Sequence, residues 1–170
     1  MDEIEKAINI NFYSCVYSIK ALLPMLMKSS DPGIINIDSS AALMSLAGTS
    51  MYSASKAALK GFTESLREEF RGKVYVGLVC PGFTKTDIFR DQKNDGGKGQ
   101  KVINMISTDC DLMVKMIMFG MEHKQALQIH GVDAHAMNIF GKLLPVNGSR
   151  LFSAVMKAAD IDLFSEVFKD

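Results

Sequence analysis

Short runs of aliphatic and β-branched residues alternate with long amphipathic patterns along this chain, and that alternation constrains the fold more than any other feature. Ile34-Ile35-Asn36-Ile37-Asp38 and Val74-Tyr75-Val76-Gly77-Leu78-Val79-Cys80 read as strands buried on both faces. Ala126-Leu127-Gln128-Ile129-His130 reads as a third. Between the first two, residues 50–71 carry a helical stripe of Leu59, Phe62, Leu66 and Phe70, with Glu64, Arg67, Glu68 and Arg71 off the stripe and Gly72 as the stop. Residues 3–28 repeat Ile4, Ile8, Phe12, Val16, Ile19 and Leu23 at helical spacing, and Pro24 is expected to kink or end that helix. A capping box at Thr108-Asp109-Cys110-Asp111 predicts a helix over 109–122. Two more helical patterns cover about 134–144 and 149–169, with Ser149 as the expected N-cap of the second.

Strands separated by helices run parallel, because a parallel pair needs a long crossover. The expectation is therefore an α/β chain: a doubly wound parallel sheet of about three strands flanked by helices, one domain over 1–170. Ligands of such sheets bind beyond the carboxyl ends of the strands. That rule places Ser39 and Ser40, and Pro81-Gly82, at the binding edge. Residues 87–107 are polar and glycine-rich and read as a mobile substrate loop. The helical region 108–170 that follows has no motif, and its methionines (Met113, Met116, Met118, Met121) read as adaptable core.

Composition removes several function classes. Lys+Arg 19 balance Asp+Glu 19, so there is no basic field for nucleic acid or anionic lipid. No apolar run approaches the length of a transmembrane helix. The opening MDEIEKAI is acidic and amphipathic, unlike a signal or transit peptide, and a cytoplasmic location is expected. Cys15, Cys80 and Cys110 are odd in number and far apart, which fits free thiols rather than a disulfide framework. His123, His130 and His135 have no carboxylate or thiol at ligand spacing, so no metal is expected.

The chemistry concentrates in Tyr52-Ser53-Ala54-Ser55-Lys56. Residues four apart on a helix share a face. A phenol titrates near ~10, and a nearby cation favours its ionised form, so Tyr52 and Lys56 make a workable proton-transfer pair. Ser53-Ala54-Ser55-Lys56 also satisfies the Ser-x-x-Lys pattern of serine acyl-transferring enzymes. The partner patterns of that class are missing, since Ser30-Asp31-Pro32 and Lys85-Thr86-Asp87 fit neither of them.

Residues 33–63 (GIINIDSSAALMSLAGTSMYSASKAALKGFT) closely resemble the catalytic half of the short-chain dehydrogenase/reductases. A strand runs into Ser39, Tyr52 follows thirteen residues later, and Lys56 four after that. Cys80-Pro81-Gly82-Phe83-Thr84-Lys85-Thr86 resembles the family's Pro-Gly segment, and Asn11-Phe12-Tyr13-Ser14 its Asn-containing helix, with Ser14 where a Gly is usual. The resemblance implies a partial Rossmann-like fold and hydride transfer between NAD or NADP and a carbonyl or alcohol. It implies that Tyr52 exchanges the proton, and that Lys56 lowers the phenol pKa and holds the nicotinamide ribose. It further implies that Ser39 binds the substrate oxygen and that Asn11 seats a water through its backbone. Pro81, Gly82 and Thr86 would shape the nicotinamide pocket. Helices 3–28 and 50–71 would be the faces of a homodimer, where Ala54, Ala57, Ala58 and Gly61 permit close approach.

The family's glycine-rich strand–turn–helix, on whose helix N-terminus the pyrophosphate rests, has no counterpart here. Gly96-Gly97-Lys98-Gly99 is the only glycine cluster and does not have that spacing. The expectation is a C-terminal portion of a larger domain, with cofactor binding by this chain alone in doubt. The alternative function is a catalytically inactive fragment acting as an interaction protein.

Overall fold

The structure, a computed structural model, describes residues 2–86 and 98–158. Three strands, β1 (Gly33–Ile37), β2 (Tyr75–Pro81) and β3 (Leu127–His130), form one parallel sheet in the order β1-β2-β3. Gly33 pairs with Tyr75 and Ile37 with Val79, while Leu78 pairs with Leu127 and Pro81 with His130. As the central strand, β2 is covered on both faces, and this is why Leu78, Val79 and Cys80 are fully buried.

The first helical pattern is α1 (Asp2–Ile8) and α2 (Ser14–Leu26), joined by a π-helical turn over Asn9–Tyr13. Pro24 lies inside the last turn of α2, and the helix ends two residues later. Next comes α3 (Ser50–Glu69), whose Leu66 packs with Ile34, Val74 and Val76. Ile19, Leu23, Leu26, Phe62 and Phe70 close over that cluster. Two features of α3 depart from its apolar stripe. Ser53, Ser55 and Thr63 are also buried. Arg67 turns inward and donates to the carbonyls of Val76 and Ala126, tying the helix to the beginning of β2 and to the residue before β3.

Four helices complete the described chain: α4 (Lys98–Ile106), α5 (Cys110–Glu122), α6 (Val132–Leu143) and α7 (Gly148–Ala158). Helix α4 replaces part of the expected loop 87–107, and its Ile103 is buried. The rest of that loop, 87–97, and the end of the expected last helix, 159–169, lie outside the described residues. The N-cap of α5 is Asp109 rather than Thr108: its carboxylate accepts from the N–H groups of Asp111 and Leu112. Ser149 does not cap α7 but donates to the Ser45 carbonyl.

One buried hydrogen bond locks α3 to the sheet. Asn36 Nδ2 donates to Thr63 Oγ1 at 2.8 Å, and that hydroxyl donates on to the Leu59 carbonyl. Replacing Thr63 by Val keeps the shape and strands the Asn36 amide, so it should cost ~1–3 kcal/mol, measurable as a lowered urea midpoint at unchanged slope. An unchanged midpoint would show that the bond contributes nothing.

Candidate active site

The site is built where β1 and β2 end. After Ile37 the chain stays in register for one more bond, Asp38 N–H to the Val79 carbonyl at 2.7 Å. Ser39 is extended, and its hydroxyl accepts from Ala41 N–H as the cap of a short 3-10 turn over Ser40–Ala42. A small-residue segment then leads into α3. There the Thr49 hydroxyl bonds both Ser53 Oγ and the Leu46 carbonyl. This fixes the first turn of α3 and so presents Tyr52 to the Ser39 end of β1.

A cleft of about 360 Å³ opens here, and its walls include Asp38, Ser39, Tyr52, Gly82, Thr86 and Asp133. Of the residues singled out in the sequence, Ser39, Tyr52, Pro81, Gly82 and Thr86 line it together. Asn11 and Lys56 are not part of its wall. Asn11 sits in the π-helical turn, where Nδ2 donates to Ser55 Oγ at 3.0 Å, and Ser55 Oγ donates to the Tyr52 carbonyl at 2.7 Å. The link from Asn11 to Tyr52 therefore runs through its side chain and the α3 backbone. π-turns of this kind are frequent at functional sites. Lys56 Nζ lies 5.8 Å from the centre of the Tyr52 ring and donates to the Ile37 carbonyl at 3.4 Å.

The electrostatics of Tyr52 differ from the sequence expectation. Its ring is 42% exposed, yet its hydroxyl end is crowded by protein, and that burial pushes the phenol above its ordinary pKa. The Ser39 hydroxyl favours the phenolate and works against the shift, while the Asp38 charge adds to it. Lys56 is not among the groups that move the phenol, so it does not lower its pKa in this arrangement.

Two carboxylates of the site escaped the sequence reading. Asp38 is 4% exposed, and neither of its oxygens has a hydrogen-bond partner of normal geometry among the described residues. Burial raises its pKa to about 7 against the pull of Lys56, of the Ser39 N–H and of Lys60. Asp133, in the first turn of α6, is 5% exposed. One of its oxygens accepts from the Phe83 N–H at 2.7 Å and the other has no partner. Burial raises this group too, while the Phe83 N–H and the N–H groups of its own helix turn favour the charged form. An acid at a helix N-terminus and one at a strand end are common in any sequence, and only the tertiary structure shows that these two face one cleft.

Asp133 explains why position 82 must be glycine. A Cβ there would lie 2.1 and 2.3 Å from the two carboxylate oxygens. Gly82→Ala should destabilise the chain by ~1–3 kcal/mol through overpacking. Asp133→Ala in the same chain should recover part of that loss, because the two sites share one contact. Strictly additive losses in a denaturation cycle would refute the contact.

The cleft offers a phenol, a hydroxyl and a glycine-lined wall at the carboxyl ends of parallel strands, a fit for the nicotinamide end of a dinucleotide. Comparison with known proteins agrees. The short chain dehydrogenase family profile matches residues 1–97. A Mycobacterium tuberculosis relative described as oxidoreductase SadH is 32% identical over 161 residues, covering 89% of this chain and 58% of its own length. The human 3-oxoacyl-[acyl-carrier-protein] reductase is 32% identical over 95 residues, covering 55% of this chain and 40% of its own. A short chain dehydrogenase from Burkholderia cenocepacia, solved with NADP, superposes with a TM-score of 0.69 at 22% identity, over 90% of this chain and 60% of that one. The chain thus spans less than two thirds of the length of these relatives. With its profile match, parallel sheet and Ser39–Tyr52 cleft, the chain belongs to the short chain dehydrogenase family.

Proposed function

We propose that the protein of which this sequence is part, or the whole, is an NAD(P)-dependent oxidoreductase that interconverts a small carbonyl compound and its alcohol. The observation that carries this reading is the convergence of Ser39 and Tyr52 on one cleft beside Pro81, Gly82 and Thr86. The nicotinamide cofactor, when bound, supplies or receives the hydride. Ser39 orients the substrate oxygen by hydrogen bonding. Tyr52 gives that oxygen its proton during reduction and takes it back during oxidation. Because burial raises the phenol's pKa, Tyr52 is protonated at neutral pH and is set for the reductive direction. Lys56 contributes positive charge and hydrogen-bond donors at the ribose, and Pro81, Gly82 and Thr86 shape the pocket. Asn11 steadies the helix turn that carries Tyr52.

The test is NADPH- and NADH-dependent reduction of small ketones by the purified chain, followed at the nicotinamide absorbance. Turnover that depends on Tyr52 supports the reading. Absence of turnover with both cofactors, by a folded chain, counts against it.

The paired helices α1–α2 and α3 also suggest a homodimer. Their inner faces already pack on each other, with the Phe12 and Phe62 rings edge to face at 6.0 Å. Tyr13 and Tyr17 stack on the outer face and remain exposed. Sedimentation at micromolar concentration decides between dimer and monomer.

A further inference from the structure

The described residues hold one ionisable group at the heart of the site to which the proposed reaction gives no task. Asp38 lies between β1 and Ser39, is buried, and has both oxygens without a partner. An isolated carboxylate in such a place is costly unless a charge compensates it. The groups that face it are Lys56, Lys60 and Tyr52 from α3, the Ser39 backbone, and the Cys80 thiol from β2. Lys60 is already committed to Glu64, with Nζ and Oε1 2.8 Å apart. Lys56 is not: its Nζ has one long hydrogen bond among the described residues, to the Ile37 carbonyl. That carbonyl belongs to the peptide group shared with Asp38. The ammonium thus rests at the Asp38 end of β1 and leaves the phenol uncompensated.

We propose that Asp38 is a positioning residue for the Tyr52–Lys56 pair: its buried, partnerless carboxylate is the counter-charge that draws the Lys56 ammonium to the end of β1 and away from the Tyr52 phenol. Asp38 is the strongest anion acting on Tyr52, and it acts against ionisation. Protonating Asp38 removes that repulsion and releases Lys56 at the same time. Both changes favour phenolate, so the acidity of the proton donor is set by the charge state of its neighbour. This inference rests on the reading of Tyr52 as proton donor, but it is tested without turnover.

The experiment is an ultraviolet titration of tyrosinate in the full 170-residue chain. The Tyr52 signal is isolated by subtracting Tyr52→Phe, in the wild-type background and in Asp38→Asn. Asp38→Asn keeps the shape and removes the charge. The expected result is roughly threefold more Tyr52 phenolate in Asp38→Asn at a fixed pH on the rising limb. An identical midpoint in a variant with wild-type circular dichroism overturns the proposal. A merely structural Asp38 would not move this signal. Should Asp38→Asn not fold, the Asp38 carboxyl carbon is followed by NMR in the wild-type chain and in Lys56→Met. Removing the lysine should move the Asp38 midpoint to higher pH, and an unmoved midpoint overturns the proposal. Failure of ketone reduction with a positive titration would count against the activity and leave the role of Asp38 in place. The opposite pair of results would do the reverse.

Discussion

Tyr52→Phe should lower turnover by about 10²–10⁴-fold, the range that a positioned acid–base group supplies. It should do so with little effect on stability, because the substitution removes one oxygen from a ring that is already 42% exposed. KM for the ketone should change less than kcat, since Ser39 and the cleft walls remain to bind it. The pH dependence carries a second, independent sign. Burial and the Asp38 charge hold the phenol above its ordinary pKa, so wild-type reduction should persist through neutral pH and fall only in the alkaline range. Alcohol oxidation needs the phenolate and should rise with pH over that same range. In Tyr52→Phe both alkaline limbs should vanish along with most of the rate. Steady-state kinetics in both directions from pH 6 to 11 would check this. A variant that retains wild-type turnover would remove Tyr52 from the mechanism.

The parts of this site that were legible in the sequence are those fixed by local spacing. Tyr52 and Lys56 sit one helical turn apart whatever surrounds them, and Ser39 ends a strand whose aliphatic run is unmistakable. The α/β alternation is legible for the same reason, because periods of two and 3.6 leave different marks. What was hidden depends on neighbours distant along the chain. The glycines at 96, 97 and 99 mask the short apolar pattern of α4, yet Ile103 finds a buried place. The π-helical turn at Asn11 leaves no compositional trace, although it carries the residue that reaches Ser55. Arg67 looks like an outward-facing charge until the carbonyls of Val76 and Ala126 come within its reach. Burial of Asp38 and Asp133 is likewise a property of the assembled sheet and helices. Lys56 is the instructive case: its sequence position is right for acidifying Tyr52, but its ammonium lies at the Ile37 carbonyl.

Asp38→Asn should make the chain more stable at neutral and alkaline pH. The sign follows from linkage. The carboxyl titrates at about 7 in the folded chain against 3.8 as the reference value, so the folded state holds the proton more tightly than the unfolded one. Stability from this group is therefore fully present below pH ~4 and is lost as pH rises through about 7. Above that range the wild type carries a buried charge that the variant lacks. At ~1.4 kcal/mol per pH unit the difference approaches ~4 kcal/mol, and relaxation and water entry should reduce it to ~2–4 kcal/mol. Below pH ~4 the two chains should unfold at nearly the same denaturant concentration, because an amide and a protonated carboxyl are close in size and polarity. Urea unfolding of both chains at pH 4 and pH 8 measures the two gaps. A wild type that is equally or more stable than the variant at pH 8 would mean that Lys56 compensates the carboxylate fully. A carboxylate that weakens the fold by this much in the working pH range, one residue from Ser39, is what a stability cost retained for the chemistry of the site looks like.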